Sequence, residues 1–240
     1  MACWLVFAGA FFDVLDGLAA RAMGGGTALG AQLDSLADLV TFGVAPAMIV
    51  WFMVLMPIAE PMQFLSIMAT AFDGPVHVGG KLEDAKKLFA LTGITVAILV
   101  VASAWRLAKF NVDTRQTHGF LGLATPANGL FWVSLPLAIT GAGGLIDPLD
   151  GWLRSALLEM LYSPWLIIVA LLLGGLMVSE LELPGLKFKQ YGWQGNQVIY
   201  ILLVLGAILF TLFGMIAVPM LLLLYVLSPV WGKVFPTLPA

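Results

Sequence analysis

The sequence predicts an all-α, polytopic integral membrane protein, a bundle of about six to seven transmembrane helices in one membrane domain over residues 1–240. Three observations carry that expectation. Apolar residues of the set AVILMFWYC make up 61% of the chain and charged residues only 10%, where soluble domains hold roughly 45–50% apolar residues even with Gly counted and about 25% charged. The mean hydropathy is +1.01. Long apolar runs are separated by Gly and Pro, and since a crossing helix takes about 20 residues, the 240 residues allow six to eight crossings with short loops. This composition excludes a soluble globule, a disordered tail and a nucleic-acid-binding module. The 11 Lys+Arg and 14 Asp+Glu are too few and too evenly matched to bind a polyanion.

Taken in order, the first helix runs over 2–22 and breaks at Gly24-Gly25-Gly26. Its start, MACWLVFAGAFF, lacks the basic segment and small-residue cleavage site of a signal peptide, so it reads as a span entered part-way. A second helix covers 28–56 and stops at Pro57. The loop of about 30 residues after it holds KLEDAKKLF (81–89), which has the pattern of a short amphipathic surface helix. A third helix over 88–110 ends in Trp105-Arg106-Leu107-Ala108-Lys109-Phe110-Asn111; a fourth covers 129–146 and a fifth 164–182. The last apolar stretch, 197–231, would be about 52 Å long as one helix, too long for one crossing. It is expected to form two short spans turning near Gly214 to Pro219. The single cysteine, Cys3, has no disulfide partner and reads as a small apolar helix residue. His77 and His118 fall in loops and carry no assigned role, and most Trp residues lie near span ends, where interfacial belts place them.

Basic residues near helix ends set the orientation. With the first turn on the cytoplasmic side, Arg21, Arg106, Lys109, Arg115, Lys187, Lys189 and Lys233 share that side, against Lys81, Lys86, Lys87 and Arg154 opposite. The bias of seven to four puts the first turn in the cytoplasm.

Four carboxylates are out of keeping with this apolar frame: Asp13 and Asp16 in the first helix, Asp34 and Asp38 in the second. Each would cost about 2.5–3.5 kcal/mol mid-bilayer on insertion scales. At 100° per residue, Asp13, Asp16, Gly17 and Ala20 share one helix face, and Gly30, Asp34 and Asp38 share another. A tight turn makes the two helices antiparallel neighbours, so the acidic faces can meet. Converging carboxylates repel unless protons or cations lie among them. An oxygen-only ligand set suits Mg²⁺ or Mn²⁺ rather than zinc, and four Asp can hold two such ions at the separation that clamps a phosphoryl group. Gly17, Ala20 and Gly30 let a bulky ligand approach the backbone, and Arg21 offers a bidentate donor to phosphate. Carboxylates in membrane helices also build cation or proton pathways, and small residues also allow close helix packing. On the residues alone, a phosphoryl-transfer site, a transporter and a structural polar cluster all stay open.

Written as spacing, the segment is Asp13-x2-Asp16-Gly17-x2-Ala20-Arg21-x8-Gly30-x3-Asp34-x3-Asp38. It resembles the signature of the CDP-alcohol phosphotransferase family at all eight fixed positions, a match expected by chance on the order of 10⁻¹⁰ per start point. Within that family, LDSLADLVTFGVAPA (33–47), WRLAKFNVDTRQTHGFLGLATPAN (105–128) and MVSELELPGLKFKQYGW (177–193) are similar to bacterial phosphatidylserine synthases. Thr41, Lys109 and Ala124 stand where Ser, Arg and Pro are more usual. The family also has a hydrophobic helix before the one with the first Asp pair. Here Met1 lies twelve residues before Asp13, so that first helix is expected to be missing, as from a start codon assigned late.

The resemblance implies a fold, a chemistry and a set of roles. Asp13, Asp16, Asp34 and Asp38 would bind two divalent cations, Mg²⁺ or Mn²⁺, and Asp38 would also be the general base. Gly17, Ala20, Arg21 and Gly30 would line the CDP and phosphate pocket. The implied reaction moves the phosphatidyl group of CDP-diacylglycerol to the hydroxyl of L-serine, giving phosphatidylserine and CMP. The same chemistry with glycerol 3-phosphate or an inositol phosphate as acceptor is the alternative. A serine carboxylate calls for a cationic contact, for which Arg106 is the first candidate and Lys109 and Arg115 follow; anionic lipid headgroups are the other use of such residues. Asn111 and Asn128 are expected to cap helix ends or to hydrogen-bond serine or phosphate. The implied partners are the two substrates and the lipid bilayer, with no nucleic acid. The implied setting is the inner (cytoplasmic) membrane, with the active site facing the cytoplasm and a homodimer as the common state of the family.

Overall fold

The computed structural model describes residues 1–23, 27–55, 80–112, 119–140, 145, 152–161, 163–184 and 196–231. Helices α1 (Ala2–Ala22) and α2 (Ala28–Asp38) are the arms of the acidic hairpin. Thr27 starts α2 as an N-cap, its Oγ1 accepting the Gly30 N–H at 3.0 Å; the expected Gly24-Gly25-Gly26 break lies outside the described residues. Beyond Asp38 the helical path continues through a π-helical turn, Leu39–Val44, into α3 (Ala45–Leu55). The helix expected over 28–56 therefore exists with a widened turn inside it. Pro46 supplies the physical reason. It has no N–H to offer the Phe42 carbonyl four residues back, and just upstream the Ala45 N–H reaches five residues back to Val40. The expected stop at Pro57 falls outside the described residues.

Helix α4 (Gly80–Val112) has 33 residues and joins two segments that the sequence suggested were separate. KLEDAKKLF is its first part, continuous with the 88–110 span. No Gly or Pro occurs between 81 and 92, and Lys, Leu, Glu and Ala all favour helix, so helix propensity carries the span outward. Lys86 and Arg106 lie about 30 Å apart along α4 at 1.5 Å per residue, about the thickness of one bilayer core.

Helices α5 (Thr125–Ile139) and α7 (Trp165–Val178) are the fourth and fifth expected helices with shifted ends, and α6 (Trp152–Leu161) is an additional short helix before α7. Strands β1 (Gly119–Leu121) and β2 (Glu182–Pro184) form an antiparallel ribbon with Gly119, Phe120 and Leu121 opposite Pro184, Leu183 and Glu182. Neither strand was legible as such in three residues. Gly122, at φ +75°, closes the ribbon onto α7; a Cβ there would stand 2.6 Å from the Met177 carbonyl oxygen.

The final stretch comprises α8 (Gln197–Phe213), a 3₁₀ turn (Gly214–Ile216), α9 (Ala217–Val226) and α10 (Ser228–Trp231). It folds back at Gly214, whose φ of 58° suits only glycine. A Cβ on Gly206 would stand 3.4 Å from Leu221 Cδ1, whereas fifteen residues of straight helix would separate them by about 22 Å. The expected turn near Gly214 is therefore present, between helices of 17 and 10 residues, and the second is too short to cross a bilayer by itself.

Two apolar clusters hold the bundle. The larger joins α3, α4, α5, α7 and α9 through Val50, Val54, Leu99, Trp132, Met177 and Tyr225. In the second, Cys3 and Val6 of α1 pack with Phe42, Val133, Met215 and Ile216, and Cys3 is the small apolar helix residue expected, here buried. Outward, Phe11, Phe12 and Leu18 of α1 and Leu29, Leu33 and Leu36 of α2 are exposed. Among the described residues, Ala2–Ala20, Leu29–Leu55, Lys86–Val112 and Gln197–Val230 are long and apolar enough to cross a membrane, the last by length folded as above. A lipid-facing surface suits such side chains, and the protein is an integral membrane protein.

One close approach is diagnostic of this packing. A Cβ on Gly129 would meet the Phe42 carbonyl oxygen at 2.7 Å and its Cα at 2.9 Å, both backbone atoms with no easy retreat, while one on Gly175 meets nothing within 4 Å. Gly129→Ala should therefore destabilise the protein by about 1–3 kcal/mol. Gly175→Ala, inside α7 with room for the methyl group, should leave stability unchanged or raise it by up to about 1 kcal/mol. Thermal unfolding in detergent micelles reads both, and equal stability of the two variants would refute the α5–π-turn contact.

Candidate active site

Asp13 and Asp16 lie one turn apart on α1, and Asp34 and Asp38 one turn apart on α2. The helical periodicity that placed each pair on one face holds. One carboxylate oxygen from each of Asp13, Asp16 and Asp34 comes within 4.8 Å of the other two. Asp38 stands outside that trio, with its carboxylate in side-chain contact with Asp13. The four acids therefore form a connected row rather than one symmetric cluster. Asp13 and Asp38 are half-buried and Asp16 and Asp34 exposed, so one end of the row opens to solvent while the other is sheltered.

This donor set fits a hard divalent cation. It is all oxygen, three ligand atoms already converge, and the exposed members leave room for the waters that Mg²⁺ and Mn²⁺ retain. Contact between Asp13 and Asp38 is itself untenable without a proton or cation between them. Gly17 and Ala20 continue the Asp13–Asp16 face and are half-buried, while Gly30 lies exposed one turn before Asp34. Arg21 belongs to the last turn of α1, but its side chain lies outside the described residues.

Three further elements reach this row. Asn111, at the end of α4, donates through Nδ2 to Ser35 Oγ at 3.0 Å and lies 3.5 Å from Gln32 Oε1. Expected as a cap or a substrate contact, Asn111 instead clasps α4 to α2 beside Asp34. Arg106, one turn and a half earlier, is buried at 7% exposure. Its Nε donates to the Leu123 carbonyl at 3.1 Å, and its guanidinium carbon sits 5.3 Å from the Phe110 ring centroid. Asp38 and Tyr225 are the ionisable groups within its electrostatic reach. Lys109 instead faces Glu180, Nζ to Oε1 at 3.3 Å, and Arg115 lies outside the described residues. Of the three cations expected near an acceptor, the structure buries Arg106 within electrostatic reach of Asp38 and pairs Lys109 with Glu180.

Tyr225 and Thr125 were not singled out by sequence. Tyr225 is the only polar side chain of α9, and its hydroxyl donates to the Pro184 carbonyl at 3.2 Å, pinning β2. A lone phenol in an apolar helix was the available signal. Thr125, at the first position of α5, is fully buried with no hydrogen-bond partner for its Oγ1. Asn128, one turn on, accepts from Trp132 Nε1 at 3.2 Å.

Comparison with known proteins bears on this geometry. The family described as CDP-alcohol phosphatidyltransferase matches residues 1–119, a range that contains the whole acidic row and Arg106. A Helicobacter pylori protein named CDP-diacylglycerol–serine O-phosphatidyltransferase is 31% identical over 211 residues, covering 87% of this chain and 70% of that protein. A Bacillus subtilis protein of the same name is 29% identical over 183 residues, 76% of this chain and 73% of the relative. A phosphatidylinositol phosphate synthase of Mycobacteroides abscessus is 53% identical, but over 51 residues only, 21% of this chain and 22% of its own.

Metal binding gives the direct check on the row. Asp13→Asn, Asp16→Asn and Asp34→Asn should each weaken Mn²⁺ binding, followed by electron paramagnetic resonance of free Mn²⁺, by more than about tenfold, the scale that loss of an outer-shell partner alone can reach. Glu180→Gln should leave it unchanged. Equal Mn²⁺ affinity in all four variants would remove the metal reading.

Proposed function

The chain belongs to the CDP-alcohol phosphatidyltransferase family, and from that premise we propose that this membrane enzyme transfers the phosphatidyl group of CDP-diacylglycerol to the hydroxyl of L-serine, yielding phosphatidylserine and CMP. The observation that carries the acceptor is Arg106, a buried guanidinium fixed on the Leu123 carbonyl within electrostatic reach of Asp38. An α-amino-acid acceptor brings a carboxylate of its own, and that carboxylate needs a cation near the base that activates its hydroxyl. The two long matches to serine-transferring relatives support the same acceptor. A phosphorylated acceptor such as glycerol 3-phosphate calls for a denser basic cluster, and Lys109 is occupied by Glu180.

Asp13, Asp16 and Asp34, with Asp38 at the sheltered end, would hold Mg²⁺ or Mn²⁺. Bound there, such ions would neutralise the diphosphate and the charge that develops on the departing CMP. The rest falls to the chain itself. Gly17, Ala20 and Gly30 leave the backbone open to the nucleotide and diphosphate, and Arg21 is assigned to a phosphate oxygen. Asp38 takes the proton of the serine hydroxyl as that oxygen attacks the lipid-side phosphorus and the bond from this phosphorus to the bridging oxygen breaks. Arg106 holds the serine carboxylate, with its Nε fixed on Leu123 and the remaining nitrogens free to turn to the acceptor. The exposed end of the row admits water-soluble serine and CMP, and the apolar flanks of α1 and α2 leave the diacyl tails in lipid. With the basic residues clustered at this end, the site faces the cytoplasm, in the inner membrane of the cell.

Purified protein supplied with CDP-diacylglycerol and Mn²⁺ should release CMP when L-serine is added and not when glycerol 3-phosphate is added. CMP release with glycerol 3-phosphate alone would overturn the acceptor. Asp38→Asn should lower serine-dependent CMP release by about 10²–10⁴-fold, the usual reach of general-base catalysis, with Mn²⁺ binding persisting in part through Asp13, Asp16 and Asp34. Near-normal turnover in that variant would take the base role from Asp38.

A further inference from the structure

The start of α5 carries a feature that the reaction as described does not use. Thr125 is fully buried, and its Oγ1 finds no hydrogen-bond partner, a penalty that native folds rarely keep without a use. Its surroundings make the placement specific. Arg106 reaches the Leu123 carbonyl just before α5, and Gly129 of α5 abuts the backbone of Phe42, four residues after Asp38. Thr125, one turn before Gly129 as Asp38 is one turn before Phe42, thus lies at the level of the base and two residues from the carbonyl that holds Arg106.

That place is an amino-terminal helix end. Ala124 is the N-cap without a side-chain cap bond, and Pro126 has no N–H. Among the described residues, neither the Thr125 nor the Ala127 N–H donates to a backbone carbonyl, as the first turn of a helix requires. Free N–H groups, the positive helix end, an unpaired hydroxyl and a buried guanidinium whose Nε alone is engaged make a set of donors with no anion to receive them. Asn128 has its Oδ1 committed to Trp132, so its amide hydrogens add to the same donor set.

We propose that the amino end of α5, with the Thr125 hydroxyl and Arg106, binds the α-carboxylate of the amino-acid acceptor, so that Thr125 is a specificity-determining residue. The inference rests on the serine reading above and adds a second arm to it. Arg106 supplies charge from α4, and α5 supplies directed hydrogen bonds from the opposite side. Together they fix the carboxylate and leave the hydroxyl three atoms away to swing toward Asp38. An acceptor without a carboxylate leaves these donors unpaired, which discriminates more strongly than a mere loss of contact.

The test uses the full-length protein with CDP-diacylglycerol and Mn²⁺. Thr125→Val keeps the shape and removes the hydroxyl. It should raise the serine KM by about ten- to hundredfold, as loss of a hydrogen bond to a charged group does, with the KM for CDP-diacylglycerol unchanged. Thr125→Ser should restore the serine KM. Inhibition by L-alanine, which keeps the carboxylate and lacks the hydroxyl, should weaken in step with the serine KM. Without substrate, Thr125→Val should unfold at or above the temperature of the unaltered protein, because an unpaired buried hydroxyl is gone. An unchanged serine KM, or alanine inhibition left intact while that KM rises, would overturn the proposal. So would a parallel rise in the CDP-diacylglycerol KM with lost thermal stability, the mark of a structural role. If Thr125→Val does not accumulate, Thr125→Ala judged on the same alanine-to-lipid comparison decides. Absence of serine-dependent CMP from the unaltered protein would instead remove the serine reading, and this inference with it.

Discussion

Mutual repulsion among Asp13, Asp16, Asp34 and Asp38 is the constraint around which the rest of the molecule is arranged. Two of these acids are exposed and two half-buried, so the row is neither dissolved in lipid nor free in water. At the exposed end, hydration lowers the cost of charge; at the sheltered end, Arg106 does so from a neighbouring helix. What remains uncompensated is the close approach of Asp13, Asp16 and Asp34, which is the part of the row best suited to a doubly charged ion. A fold that spaced the four acids apart would be easier to insert into a bilayer and could not grip a diphosphate.

Holding that row requires a rigid backing, and the helices behind it provide one through close backbone contacts. The π turn brings Phe42 against Gly129, and Gly43 against Ser103, where a Cβ would sit 2.9 Å from Ser103 Cβ. These small residues draw α5 and α4 to the helix that carries Asp38. The π turn begins directly after Asp38. A widened turn changes the face presented by everything that follows it, so α3 can pack into the core while α2 keeps its acids toward the cleft. The β-ribbon serves the same end of the bundle: Leu123 beside it receives Arg106, and Tyr225 pins its far strand.

Much of this was legible in the chain because helical periodicity is local. Asp13 with Asp16 and Asp34 with Asp38 share faces by spacing alone, and the turn between them has to bring those faces together. The fold-back at Gly214 was legible for a similar reason, since 35 apolar residues exceed one bilayer crossing. Boundaries were less so. KLEDAKKLF merged with the following span because nothing in it stops a helix, and polarity alone does not end one. The π turn went unread because Pro46 inside an apolar run signals a disturbance without saying whether the helix kinks, ends or widens.

By itself, then, the sequence determined the membrane class, the helical hairpin and the identity of its acids, all of which follow from hydropathy and a 3.6-residue period. Only the tertiary structure decided which cation is buried within electrostatic reach of Asp38. Arg106 and Lys109 are near-equivalent in sequence, three residues apart at one helix end, yet one is buried on the Leu123 carbonyl and the other is paired with Glu180. The same holds for Thr125 and Tyr225, which no spacing connects to the acidic motif. Their roles depend on which helix packs against which, and that is settled by long-range burial and close backbone approach, quantities a local pattern of residues does not carry.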